Sequence, residues 1–219
     1  NRESSDVSHE SAYAKASAES ETAYPKIPAI GEDTELSQLL NTYIAIPSSN
    51  GFVLVHQQAA HERVLYEQLK AASKAHPIAT QRSLFPSTLE LTPADSVILE
   101  ELMEDLKQLG YAIEPFGKNT FVIQGTPADV EAGNEKFIID LLLEQFKHFS
   151  NDLKFSKREK LIRSVARQQA IKTGVRLTER EMRQLIINLF ACEQPNMTPD
   201  GNPTYLDFKQ EQLDRMFGR

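Results

Sequence analysis

From Val53 to Glu67 an apolar, β-branched run passes without a loop into a polar, Ala-rich segment, so that a strand ends directly in a helix start. Val53, Leu54 and Val55 read as a buried strand. Ala59, Val64, Leu65 and Leu69 then recur at helical spacing with charges between them. The polar residues where strand meets helix are well placed to form a site. Gln58 and Glu62 stand four apart and share one helix face, where an acidic or His residue at each position would clasp a metal. Here one of the two is an amide. His56 and His61 are five apart and point to different faces, so they form no ligand pair.

Around this junction the pattern predicts a short strand lead at 36–40, then a hairpin of 42–47 and 52–56 around Ser48-Ser49-Asn50-Gly51. The junction helix runs over 57–75 and stops before Pro77, and 84–91 reads as a strand. A helix opens at Thr92-Pro93 and closes at Gly110. Strands follow at 111–115 and 120–124, helices near 127–150, 156–173 and 178–191, a loop at 195–203, a strand at 204–208 and a last helix at 209–217. The class is α+β, with no internal repeat.

Three separated segments carry a resemblance. The first is Gln57, Ala59, Glu62 and Glu67 at the junction. The second is Ser164-Val165-Ala166-Arg167-Gln168-Gln169-Ala170-Ile171-Lys172-Thr173-Gly174. The third runs from Cys192 through Pro195, Pro199 and Gly201 to Pro203-Thr204. In this order they resemble the C-terminal domain of the MutL mismatch-repair family, over roughly residues 36 to 219. The departures fall on the chemistry: His56 stands where endonuclease-bearing members have Asp, Gln58 where they have a metal-binding His, and Arg167 where they have Cys. Thr198, Asp200 and Asn202 replace a second Cys, a His and an Arg.

The resemblance implies a two-lobed domain. Residues 34–91 and 192–219 would form a discontinuous, sheet-containing dimerisation lobe, and 92–191 an inserted, mostly helical external lobe. A single compact domain is the alternative that the pattern leaves open. The resemblance also implies that Gln58, Glu62, Arg167, Thr198 and Asp200 meet in one pocket. An amide, a hydroxyl and two carboxylates make a poor zinc set, since zinc prefers thiolate and imidazole. The expectation is a degenerate pocket with no metal and no cofactor, in a module without enzymatic activity. The competing reading is a metal-dependent nicking endonuclease with its ligands moved to Glu62, Glu67 and Asp200.

Gln81-Arg82-Ser83-Leu84-Phe85-Pro86 is similar to the peptide that binds the bacterial replicative sliding clamp, and lies where the family carries such a motif. An extended segment would offer Leu84 and Phe85 to an apolar pocket, with the Gln81 amide at its rim and Pro86 beyond. The bland alternative is a strand with both side chains in the domain's own core. A basic stretch, 154–183, holds ten basic residues against three acidic ones. Lys157, Arg158, Lys160, Arg163 and Arg167 are the candidate contacts to DNA phosphates, non-specific and salt-dependent, and a solvated helix face is the alternative.

The first 33 residues hold seven acidic and three basic residues and few large apolar ones, which predicts a disordered linker. In the family such a linker leads to an ATP-hydrolysing N-terminal part. Taking the linker's minus four from the total of minus seven leaves minus three for the rest, so the chain is no basic nucleic-acid binder overall. No run approaches the roughly 20 apolar residues of a membrane span. The lone Cys192 excludes an intrachain disulfide and suits a reducing cytoplasm. Nucleotide-binding glycine motifs and a Gly-x-Ser-x-Gly elbow are absent. The expectation is therefore a cytoplasmic homodimerisation module of a mismatch-repair protein. It would dock the sliding clamp, reach the mismatch-recognition protein MutS through the full-length chain, and touch DNA without specificity.

Overall fold

Alternation along the first hairpin decides which way the first sheet faces. In the computed structural model, which describes residues 34–75, 77–128, 130, 133–150 and 155–218, β2 (Tyr43–Ser48) and β3 (Gly51–His56) pair antiparallel. Their buried residues, Ile44, Ile46, Val53 and Val55, lie on one face. β1 (Ser37–Leu39) adds to one edge and β7 (Tyr205–Lys209) to the other, giving the order β1-β2-β3-β7. Gly51 closes the hairpin with φ +142°, and a Cβ there would sit 2.0 Å from the Phe208 carbonyl oxygen. Only glycine fits so close a backbone approach. The linker expectation for 1–33 lies outside the described residues.

The opposite face of this sheet carries Tyr43, Ala45, Phe52, Leu54, Leu206 and Phe208, none of them buried, with Leu206 51% exposed. Phe52 and Phe208 stack across β3 and β7, ring centroids 5.0 Å apart. α1 (Gln57–Ala75) leaves β3 with no intervening residue, as the junction demands. Its first turn is capped by His56, whose Nδ1 accepts the Ala59 N–H at 3.3 Å.

A second antiparallel sheet, in the order β4-β6-β5, is formed by β4 (Thr80–Glu90), β5 (Ala112–Gly117) and β6 (Thr120–Pro127). α2 (Pro93–Gln108), α3 (Glu135–Ser150) and α4 (Lys157–Gln169) cover it, and Leu89, Phe121, Ile123, Leu102, Ile139 and Leu161 form a continuous core with them. Each such side chain contributes roughly 1.5–3 kcal/mol on burial. Thr92 caps α2 by accepting the Asp95 N–H, and Pro93 opens the helix. A full capping box between Thr178 and Glu181 starts α5 (Glu179–Phe190). A short α6 (Gln210–Met216) ends the described chain.

The described residues thus form an α+β fold with two antiparallel sheets and six helices, and residues 34–219 make one compact unit. Three boundaries differ from the sequence pattern by four residues or more. α3 begins at Glu135 rather than near 127, because Pro127 is the last rung of β6, paired with Thr80, and Gly133 sits at φ +90° before the helix. α4 stops at Gln169 rather than 173, where the Lys172 ammonium folds back onto the carbonyls of Arg167 and Gln168. β4 starts at Thr80, four residues early, and pairs with β6, so a partition drawn along the sheets would place it with residues 92–191.

Candidate functional site

Three elements converge beside the junction: the N-terminal half of α1, the C-terminal half of α4, and the loop between α5 and β7. Arg163 and Arg167, one turn apart on α4, both reach Asp200 of the loop, with Nη1 atoms 3.4 Å and 3.2 Å from its two carboxylate oxygens. Arg163 is 7% exposed, lies over the Phe155 ring at 3.6 Å, and also pairs with Glu159 at 3.2 Å. Glu62 projects from α1 toward the same cluster and is also 7% exposed. Burial and then the Asp200 carboxylate push its pKa up to about 7, against the pull of Arg167, Lys172 and Arg63.

Of the remaining residues of the expected pocket, Thr198 is engaged within its own loop. Thr198 is buried and its hydroxyl accepts the Asn202 N–H at 3.1 Å. Gln58 is half-buried one turn before Glu62. Glu67 takes the Glu193 and Gln194 N–H groups at 2.7 Å and 3.2 Å and pairs with Arg63 at 3.5 Å. Arg63 in turn donates from Nε to the Met197 carbonyl at 2.5 Å. Glu67 is therefore a bracket for the loop. The set Glu62, Glu67 and Asp200 does not assemble, and no three His, Cys, Asp or Glu side chains group as a metal site among the described residues.

These donors do not fit zinc. Asp200 already faces two guanidinium groups, Glu62 is held toward its neutral form, and an amide and an engaged hydroxyl remain. Cys192 offers no substitute: its thiol donates to the Asn188 carbonyl at 3.4 Å, and burial followed by the nearby Glu67 carboxylate pushes it up to about 12.

Sequence reasoning missed two anchors. The Gln57 side chain, fully buried, donates to the carbonyls of Asn41, Lys172 and Val175 and accepts from Gln38, tying both sides of α1's start together. His61 accepts the Ile171 N–H on Nδ1 at 3.0 Å, which fixes the chain just past α4. A polar residue at a strand-to-helix junction was the available signal for the first. The second had none, since its partner lies 110 positions away.

The segment similar to the clamp peptide lies on β4 where the ladder breaks register between Arg82 and Ser87. There the Ser83 hydroxyl donates to the Phe85 carbonyl and accepts the Phe85 N–H, and the segment swings out of the sheet. Leu84 is 91% exposed and Phe85 86%, and Gln81 and Pro86 are exposed too. The reading of Leu84 and Phe85 as core residues is thereby overturned.

Among the basic candidates, Arg163 departs from the expectation of a phosphate contact. It is withdrawn from solvent and engaged with Asp200 and Glu159, because its helix face packs on α1 and the loop. Arg167 shares Asp200 but is partly exposed, Lys157 pairs with Glu101 at 2.5 Å, Arg158 is exposed and Lys160 half-buried. Lys154 lies outside the described residues.

Residues 36–177 match the family model of the MutL C terminal dimerisation domain. A DNA mismatch repair protein MutL from Chlorobium phaeobacteroides is 39% identical over 187 residues, covering 85% of this chain and 30% of that protein. The namesake from Pelodictyon phaeoclathratiforme is 37% identical over the same shares. The chain therefore spans about 30% of the length of the curated relatives it matches. Its fold, its three matching segments and these likenesses agree, and the chain belongs to the family of the MutL C-terminal dimerisation domain.

Proposed function

We propose that this domain is a homodimerisation module of a bacterial mismatch-repair protein, acting in the cytoplasm, that has lost the family's endonuclease. The observation that carries the dimer is the unburied apolar face of the first sheet, where Tyr43, Phe52, Leu54, Leu206 and Phe208 lie together. A contiguous apolar patch of this kind is characteristic of protein interfaces. Loss of nicking is supported by the donor set: Asp200 is held by Arg163 and Arg167, where a catalytic cation would need its oxygens.

The same reading gives the domain a second contact, to the sliding clamp through Gln81, Leu84, Phe85 and Pro86. The exposure of the two large side chains on a bulged segment supports it. Non-specific DNA contact, where it occurs, would fall to Arg158, Lys160 and the exposed part of Arg167, with Lys157 beside them. MutS would be met only through the full-length protein. No described helix is long and apolar enough to cross a membrane.

Sedimentation at micromolar concentration tests the first claim. A dimer is expected, reduced to a folded monomer by Leu206→Glu, and a concentration-independent monomer would refute it. Nicking of supercoiled plasmid tests the second: activity with manganese, magnesium or zinc that disappears in Glu62→Ala would restore the endonuclease reading. Clamp binding lost in the Leu84→Ala/Phe85→Ala pair, with melting unchanged, is the expected third result.

A further inference from the structure

The loop between α5 and β7 is a small, self-bonded unit rather than a slack connection. Thr198 N–H donates to the Asn202 carbonyl at 2.7 Å, Gly201 N–H to the Thr198 carbonyl at 2.9 Å, and Met197 bridges to Pro203. Thr204 closes the loop: its N–H donates to the Asn196 carbonyl at 3.1 Å and its hydroxyl to the Pro195 carbonyl. The Thr204 carbonyl then accepts the His56 N–H at 2.9 Å, at the last residue of β3. One residue later β7 begins, and it carries Leu206 and Phe208 onto the unburied face of the first sheet.

Two polar attachments fasten the tip of this unit, at Met197 and at Asp200, and both are made by guanidinium groups. Arg63 holds the Met197 carbonyl, and Arg163 with Arg167 holds the Asp200 carboxylate. Glu67 brackets the loop's entrance at Glu193 and Gln194. We infer that this ionic clasp does the mechanical work a bound metal would do in such a pocket: it fastens the loop to α1 and α4, and through Thr204 it sets the position of β7 and so of the apolar dimer face. The pocket has become a positioning device for the interface. Its link to dimer affinity rests on the dimerisation reading, while its hold on the loop does not.

The chemistry makes the clasp specific. Asp200 is only 21% exposed at its side chain and Arg163 9%, so removing one partner leaves a poorly solvated charge on the other. Arg167, at 39%, is the part that salt screens. An isosteric Asp200→Asn change keeps the volume and one acceptor but removes the charge that two guanidinium groups face.

Hydrogen exchange on the chain, followed by mass spectrometry, tests this with and without a chelator. In Asp200→Asn, amides over 196–206 should exchange about tenfold faster or more, with α2 and β6 amides unchanged. The dimer dissociation constant should rise by a similar factor. Chelator should leave the wild type unaltered. Arg167→Gln, at the more exposed end, should show the same pattern more weakly, and the double variant less than the product of the two. Unchanged exchange in both variants, multiplicative effects, or loosening of the wild-type loop by chelator alone would overturn the clasp. If the wild type proves monomeric but exchange responds as described, the clasp stands and only its tie to dimerisation falls.

Discussion

Glu62→Gln should stabilise the folded chain above neutral pH, although it replaces a buried charged residue. The Glu62 carboxyl, ordinarily near 4.5, is raised to about 7 by burial and by Asp200. A group whose folded pKa is raised contributes its full stability below the unfolded value and loses it as pH climbs through the folded one. The window is therefore about 4.5 to 7. At about 1.4 kcal/mol per pH unit, the ionised side chain costs up to roughly 3 kcal/mol at pH 8. Glutamine retains the shape without the charge. Urea denaturation at fixed protein concentration, at pH 5 and pH 8.5 and in the presence of chelator, reads the difference between variant and wild type. It should be below about 1 kcal/mol at the lower pH and favour the variant by about 3 kcal/mol at the higher. An equal difference at both values, or a variant less stable at pH 8.5, would refute the placement of Glu62 as a carboxyl crowded by Asp200.

The histidines behave oppositely. Burial holds His61 and His56 below their usual 6.5, and both use Nδ1 as an acceptor, for Ile171 and Ala59 respectively. Their contribution is complete above about pH 6.5 and is lost as pH falls, so NMR titration should give both pKa values below 6.5, and a value above it for His61 would contradict the Ile171 bond. Gly51→Ala should destabilise by at least about 1–3 kcal/mol by thermal melting, because its Cβ would lie 2.0 Å from the Phe208 carbonyl; a neutral effect would mean that β7 yields freely. Leu84→Ala and Phe85→Ala should each change stability by less than about 0.5 kcal/mol, and a larger loss would show that the bulged segment packs inward after all.

Much of this fold was legible because its signals are local. The β3–α1 junction, the Thr92-Pro93 start and the stop at Gly110 each depend on residues within one turn of the event they mark. What could not be read depends on partners far along the chain. The helix expected near 127 starts only at Glu135 because Pro127 pairs with Thr80, and the early start of β4 follows from its ladder with β6. The candidate site divides the same way. That Gln58, Thr198 and Asp200 are poor zinc donors follows from residue type alone. That Arg163 is interior, stacked on Phe155 and committed to Asp200, does not, because a basic helix face is ordinarily solvated. The spacing of Arg163 and Arg167, one turn apart with a lone Asp200 beyond, was the faint signal.

Arg167 and Asp200 are best understood as a matched exchange. Where the family resemblance puts Cys and His, this chain has a cation and an anion whose side chains meet at 3.2 Å. Arg167 without Asp200 would lose this carboxylate partner, whereas Asp200 without Arg167 would still face Arg163. Together, with Arg163 supplying a second guanidinium, they leave Asp200 paired on both oxygens while the framework residues Pro195, Pro199, Gly201 and Pro203 keep the loop's path. A pocket that had merely decayed would be expected to hold unmatched residues. A pocket whose side chains complement one another in charge and position, at the root of the strand that carries Leu206 and Phe208, instead fits a constraint on loop placement.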